Sequence, residues 1–136
     1  MTHPVVKPFH DTATGSWQYV FHDPETREGA IVDPVLDYDP NAGATATRRA
    51  DEILAYVAEE GLTITWILDT HPHADHFSAG PYLKDRLGAP TAIGEKVVEY
   101  IETGDIGDVG PRIYGEDEKT NFITEDIRIF KLTEPN

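Results

Sequence analysis

The sequence predicts a layered α/β fold, and three features of its 136 residues support this prediction. β-Favouring runs and two helical patterns alternate along the chain, an order typical of α/β layering. Hydrophobic residues make up 39% and charged residues 26%, a composition that favours a packed core over wholesale disorder. The length fits one domain, residues 1–136, and is short for two.

The first third of the chain is predicted to be built from strands. Residues 5–9 form the first β-favouring run. Residues 16–21 and 29–32, separated by a polar turn at 23–26, predict a hairpin. The next stretch, 33–46, contains three Asp, two Pro, one Asn and one Gly, and is predicted to be a loop.

Two helices and a buried strand are predicted in the middle of the chain. Apolar residues at 50, 53, 54, 57 and 58 share one helix face, so a helix of about three turns is expected, capped near Thr47 and ended by Gly61. Residues 63–68 predict a strand covered on both faces. A second helix is expected to begin at Ser78 and end at Gly88. The remaining predictions are a strand at 91–93, a helix at 95–101, an irregular stretch at 103–120 and a strand at 126–132.

The charge of the chain excludes several classes of partner. Its net charge is −14, from 25 acidic and 11 basic residues, which disfavours nucleic acid and anionic membrane surfaces. No apolar run approaches the roughly 20 residues that span a bilayer, and the N-terminus lacks the pattern of a signal peptide. A cytoplasmic location is therefore expected. The absence of cysteine excludes disulfides, thiolate metal sites and cysteine nucleophiles.

One segment concentrates groups that bind metals: Asp69-Thr70-His71-Pro72-His73-Ala74-Asp75-His76. His71 and His73 are two residues apart, so on an extended backbone their rings point to the same side. Asp75 and His76 turn with the chain toward the next helix, which lets all four side chains converge. Imidazole and carboxylate suit zinc, iron or manganese. The alternative is a histidine-rich loop that caps the next helix, and the ordered cluster favours the metal site.

Two further observations bear on this cluster. Without a metal, neighbouring imidazoles are expected to lower each other's pKa, a cost with no structural return. The cluster also follows a predicted strand, where open α/β sheets place their sites. Asp33 and Asp69 each have two interpretations, as a turn-forming residue or as an acceptor just outside the metal ligands that holds the metal loop.

The other polar and aromatic residues are expected to be structural. The remaining histidines and the arginine pair are expected on the surface: His3, His10, His22, Arg48 and Arg49. The aromatic residues Trp17, Tyr19, Trp66 and Tyr82 are expected in the core or on strand faces. No basic residues interleave with them as in a platform for stacking nucleic-acid bases.

The segment from His71 to His76 resembles the HxHxDH signature of the metallo-β-lactamase superfamily. Residues 19–24, 30–40 and 93–95 are similar to one branch of it, the bacterial β-lactamase-like hydrolases grouped with persulfide dioxygenases and glyoxalase II. The resemblance covers residues 5–97 and leaves 98–136 unassigned. It implies an αββα sandwich of two similar halves, of which this chain matches the N-terminal half, with metals at one edge between the sheets.

The resemblance also implies roles for the cluster. In the dinuclear hydrolases, His71 and His73 would hold one metal, Asp75 and His76 the other, and a water of lowered pKa attacks a carbonyl group. Asp75 is accordingly the candidate catalytic residue. In the persulfide dioxygenases, which oxidise glutathione persulfide with O2 to sulfite and glutathione, only His71 of these four would bind the single Fe(II) directly.

The sequence departs from the family pattern after His76, because no histidine follows it. The superfamily takes further His and Asp ligands from its second half, so we expect a truncated domain with an incomplete coordination sphere and an uncovered inner sheet face. The predicted function is metal-dependent, with Fe(II) or Zn(II), acting on glutathione persulfide or on a thioester. Whether this chain alone is an enzyme stays open. The alternative is a non-catalytic domain that binds metal weakly and self-associates, for example as a homodimer.

Overall fold

The computed structural model describes residues 3–71, 73, 75–94 and 129–132. Within them, two helices and nine strands follow one another along the chain. In order these are β1 (Val5–His10), β2 (Trp17–His22), β3 (Glu28–Val32), β4 (Val35–Asp39), β5 (Ala44–Ala46), α1 (Arg48–Glu59), β6 (Thr63–Asp69), β7 (Phe77–Ser78), α2 (Gly80–Leu87), β8 (Thr91–Gly94) and β9 (Ile129–Leu132).

The main sheet has six strands in the order β1-β2-β3-β6-β8-β9, and a small sheet has the order β5-β4-β7. β2 and β3 form the predicted hairpin, and β1 pairs antiparallel with β2, so the three strands make a meander. β6 lies parallel to both β3 and β8. Because the carboxyl ends of parallel strands meet at one edge, the chain segments that leave β3 and β6 emerge side by side.

The core lies between the main sheet and the two helices. The apolar face of α1 presents Ala50, Ile53 and Val57 to the sheet, as the helical spacing predicts. Strand residues and α2 complete the cluster, and its largest fully buried members include Ile31, Ile53, Ile67 and Leu83. Direct parallel pairing sets the separation of β3 and β6, and the helices pack on the sheet so formed, so the segments that follow the two strands have a fixed position.

The close approach of β2 and β3 requires a glycine at position 29. Gly29 pairs with His22 across the two strands. A Cβ atom at position 29 would lie 2.5 Å from the carbonyl oxygen of Phe21 and 2.9 Å from the Cβ of His22. Only glycine fits this register without a shift of the backbone.

Two of the predicted boundaries are wrong. The predicted loop at 33–46 contains β4 and β5, because β4 pairs with both β5 and β7. The second helix begins at Gly80 and not at Ser78, since residues 77 and 78 are held in the small sheet against β4. It ends at Gly88 in the left-handed conformation, as predicted. Thr47 occupies the N-cap position of α1, but its hydroxyl donates to Asp51 and caps no backbone N–H.

The face of the main sheet opposite the helices is apolar and exposed. Its aromatic residues are Trp17, Tyr19, Phe21 and Trp66, each between 36% and 50% exposed. The prediction that residues 63–68 are covered on both faces is therefore wrong for the described part of the chain. The aromatic residues of β2 and β6 lie on a strand face, as the sequence allowed.

The remaining predictions concern the C-terminal part of the chain. The helix expected at 95–101 and the irregular stretch at 103–120 lie outside the described residues. Of the strand predicted at 126–132, the part at Ile129–Leu132 pairs antiparallel with β8.

Neither α1 nor α2 has the length and apolar character that crossing a bilayer requires.

Candidate metal centre

The histidine-rich segment lies at the carboxyl edge of the main sheet, between β6 and β7. It brings together ligand atoms of His73, Asp75 and His76, all within 4.8 Å of one another. A second group at the same spacing consists of Asp33, Asp69 and His73. His73 belongs to both groups, so it is the centre of the cluster.

Asp33 ties the two strand ends together. Its Oδ1 accepts hydrogen bonds from the Thr70 N–H at 2.7 Å and from Nε2 of His73 at 2.9 Å, and its Oδ2 accepts from the Thr70 hydroxyl at 2.8 Å. Its own N–H donates to the carbonyl oxygen of Leu68 at 2.8 Å. The residue has φ of +53°, a left-handed conformation that Asp and Asn adopt more readily than other non-glycine residues. Asp33 is thus both a turn residue and an acceptor for the loop.

The partner of His73 determines its protonation. Burial by itself lowers the pKa of His73, but the hydrogen bond to Asp33 and the charges of Asp33, Asp69 and Asp75 outweigh it and raise the pKa. Burial raises the pKa of Asp33, yet hydrogen bonds from His73 and Thr70 bring it below its usual value. The expectation that clustered imidazoles lower each other's pKa is therefore wrong for His73, because the carboxylates dominate.

His71 behaves as the sequence predicts. Burial is the main cause that lowers its pKa, and the positive charge of His73 adds to it. The two rings lie 4.2 Å apart between centroids, and Nδ1 of His71 is 2.9 Å from the Thr70 hydroxyl oxygen. His71 belongs to neither of the two groups of clustered ligand atoms. Its lowered pKa favours the neutral ring, which is the form that binds metals.

When the rings are neutral, their hydrogen bonds leave one nitrogen of His73 and one of His76 free for a cation. Nε2 of His73 faces the Asp33 carboxylate, so Nε2 carries the proton and Nδ1 faces Asp75 at 3.9 Å. Nδ1 of His76 lies 2.9 Å from the carbonyl oxygen of Phe77, which can only accept. In the neutral ring, Nε2 of His76 then keeps its lone pair. A carboxylate or carbonyl that takes the other ring proton is the usual support of a metal-binding histidine.

Asp75 is held by a residue that lies 59 positions earlier in the sequence. The hydroxyl of Ser16, in the turn between β1 and β2, donates to Oδ2 of Asp75 at 2.8 Å. Burial raises the pKa of Asp75, but this hydrogen bond, its own backbone N–H, and His76 and His73 together lower it. Nothing in the spacing of the sequence points to Ser16.

Asp69 is a buried carboxyl at the end of β6. Both of its oxygens accept from the hydroxyl of Ser78, at 3.1 and 2.9 Å. Burial raises its pKa above the ordinary value, although Ser78 and the histidines oppose this. Its Oδ1 lies 3.9 Å from Nε2 of His73. Asp69 therefore anchors the start of the loop to the segment that precedes α2.

A cavity of about 740 Å³ opens beside the cluster. His73, Asp75 and His76 line one side of it. The rest of the lining comes from the β1–β2 turn, from β4, β5 and the turn between them, and from Arg48 and Phe77. A molecule of small-ligand size can thus reach the clustered ligand atoms.

The expectation of a solvent-exposed surface position is wrong for Arg49 and for His22. Nε of Arg49 pairs with Asp11 at 3.1 Å, and the Asp11 side chain is only 3% exposed. His22 is buried at 3% exposure, because it continues the helix-facing side of β2. His3 and His10 are exposed, as predicted.

Comparison with known proteins decides the family. A family model described as the metallo-beta-lactamase superfamily matches residues 11–134. The chain belongs to this superfamily. The family membership and the α/β architecture predicted from the sequence are thereby confirmed.

The relatives of this superfamily member include proteins from the predicted branch. A beta-lactamase hydrolase-like protein of Xylella fastidiosa is 62% identical over 71% of this chain and 22% of its own length. The mitochondrial persulfide dioxygenase ETHE1 of Bos taurus is 34% identical over 66% of this chain and 33% of its own. The crystal structure of ETHE1 from Myxococcus xanthus matches with a TM-score of 0.54 and 32% identity, over 64% of this chain and 34% of that one. The chain thus spans between a fifth and a third of these proteins.

Proposed function

We propose that the chain carries the first metal-binding motif of an enzyme that acts on a small thiol-derived substrate. The substrate is glutathione persulfide, oxidised with O2, or a thioester, which is hydrolysed. The observation that carries the proposal is the convergence of His73, Asp75 and His76 beside an open cavity. The relatives named persulfide dioxygenase and hydrolase-like protein support the two reactions.

The donor set fits a divalent metal. His73, Asp75 and His76 would hold it, through an imidazole and carboxylate set that suits Zn(II) or Fe(II). The bound metal would supply Lewis acidity, and in the case of iron also redox chemistry. The protein's part is to present the ligands: Asp33 takes the Nε2 proton of His73, and Ser16 orients the carboxylate of Asp75. The choice of metal follows the reaction: the relative named hydrolase-like protein favours Zn(II), and the relative named persulfide dioxygenase favours Fe(II), for which the resemblance implies His71 as the direct ligand.

The test is the metal content of the chain, purified anaerobically without a metal-affinity tag and compared between wild type and His73→Ala. His10→Ala is the matched control, because this histidine is exposed and outside the cluster. We expect metal in the wild type and the control, and its loss in His73→Ala. Equal metal in all three would refute the site. O2 uptake with glutathione persulfide, set against thioester cleavage, then separates the two reactions.

A second candidate function is a non-catalytic domain that self-associates, with a weakly bound metal. The observation that favours it is the exposed apolar face formed by Trp17, Tyr19, Phe21 and Trp66. Sedimentation over a wide concentration range tests it, with Trp17→Gln to weaken the association. A single monomeric species at every concentration would refute this candidate and leave the enzymatic one standing.

A further inference from the structure

The carboxylates that line the cavity are all occupied by other groups of the protein. Asp11 is paired with Arg49, and the N–H of Arg49 donates to Asp37 at 2.9 Å. Asp39 accepts two backbone N–H groups from the turn that follows it, at 2.9 and 3.2 Å. Asp75 accepts from Ser16, as described above. Each carboxylate of the cavity lining therefore already accepts hydrogen bonds from groups of the protein itself.

Arg48 is the exception among the charged residues of the cavity. It is the one arginine or lysine among the described residues that line it, and its side chain is exposed. It lies within 4.0 Å of no carboxylate oxygen in the described part of the chain. Its neighbour Arg49, by contrast, is held by Asp11 and Glu52. One of the two adjacent guanidinium groups is thus structural and the other is free to bind a ligand.

The remaining surface of the cavity is suited to the body of a small molecule. Tyr38 and Phe77 form an edge-to-face pair with centroids 5.3 Å apart, and both are about half exposed. Leu36, which is partly buried, adds apolar surface to the lining of the same cavity. The volume of about 740 Å³ lies within the range of ordinary small-ligand sites.

We propose that Arg48 is a specificity-determining residue that binds a carboxylate of the substrate. The guanidinium forms a charge-assisted, two-pronged contact with the carboxylate, while the body of the molecule lies along Tyr38 and Phe77 toward the His73 cluster. The cavity then selects small molecules that carry a negative charge at one end. The net charge of −14 disfavours such molecules elsewhere on the surface. The assignment of the ligand as a thiol rests on the function proposed above, whereas the carboxylate contact rests on Arg48.

The experiment measures binding to the 136-residue chain by calorimetry and NMR, without any need for turnover. The probes are glutathione, its diethyl ester, in which both carboxylates are neutral, and glutarate, a dicarboxylate without sulfur. Wild type is compared with Arg48→Gln, Arg48→Lys and the control Arg86→Gln. Arg86 carries the same charge on α2, stacks on Tyr82 at 5.0 Å and lies outside the cavity lining.

We expect Arg48→Gln to weaken glutathione binding by about tenfold or more, and Arg48→Lys to have a smaller effect. The ester should bind weakly and equally to wild type and Arg48→Gln, and Arg86→Gln should match wild type. Unchanged binding of glutathione to Arg48→Gln would overturn the proposal, as would an equal loss for the ester. The absence of binding by either carboxylate to the wild type would also overturn it.

The same panel separates this inference from the proposed function. Binding of glutarate that depends on Arg48, with no binding of glutathione, would support the carboxylate contact and contradict the thiol substrate. Glutathione binding of equal affinity in wild type and Arg48→Gln would support the thiol substrate and refute the carboxylate contact. The metal content of Arg48→Gln should equal that of wild type, since Arg48 is not among the clustered ligands.

Discussion

Asp33 offers the sharpest test of how the metal loop is held. Its side chain accepts three hydrogen bonds, from the Thr70 N–H, the Thr70 hydroxyl and His73, at 2.7 to 2.9 Å. At about 1 kcal/mol for each bond, Asp33→Gly should lower the free energy of unfolding by about 3 kcal/mol. Asp33→Ala should cost about 1 kcal/mol more, because φ is +53° and alanine is strained there.

Asp33→Asn separates charge from geometry. Asparagine tolerates the left-handed conformation, and its carbonyl oxygen can accept from both Thr70 and His73 in place of Oδ1. Its NH2 group would donate to the Thr70 hydroxyl oxygen, whose own proton can turn to Nδ1 of His71 at 2.9 Å. Every bond is then kept and only the negative charge is lost, so the expected cost is about 1 kcal/mol.

The assay is urea unfolding followed by tryptophan fluorescence, with a chelator present so that metal binding does not contribute. The expected order of stability is wild type, Asp33→Asn, Asp33→Gly and Asp33→Ala. If Asp33→Ala lay within 1 kcal/mol of the wild type, the hydrogen bonds of Asp33 would not hold the loop. If Asp33→Asn were as destabilised as Asp33→Gly, the charge and not the geometry would dominate.

Three further predictions test other parts of the structure. Burial raises the pKa of Asp11, but bonds from the 13–14 turn and Arg49 lower it overall, so its contribution to stability should be present above about pH 4 and disappear as pH falls through its folded pKa. In acid titrations of the urea midpoint, Asp11→Asn should lack that part of the decline, and a decline equal to wild type would contradict the pairing. Gly29→Ala should lower stability by about 1–3 kcal/mol in thermal unfolding, because its Cβ meets a backbone oxygen at 2.5 Å, and an unchanged melting temperature would contradict the register. Ser16→Ala should weaken Co(II) binding by about 10–100-fold without loss of fold, and unaltered titrations would show that Asp75 needs no support.

The structural features that the sequence predicts are those formed by residues close together in the chain. The apolar spacing on α1 and the hairpin of β2 and β3 are local patterns, and both are found in the structure. The small sheet is not predicted because β4 pairs with β7, which lies beyond α1 and β6 in the chain. The raised pKa of His73 was missed for the same reason, since Asp33 is 40 residues away. The support of Asp75 by Ser16 spans 59 residues.

The parallel pairing of β3 with β6 also has a consequence for folding kinetics. The meander of β1 to β3 is formed by contacts between adjacent strands, whereas β3 and β6 meet only after the chain from Val32 to Thr63 has closed on itself. Closing a long connection costs entropy before its contacts contribute, so the β3–β6 pair is expected to form late. Asp33 and Thr70 come together only across that pair. Refolding should therefore restore the capacity to bind metal in its slowest phase, after the meander has regained its protection from hydrogen exchange.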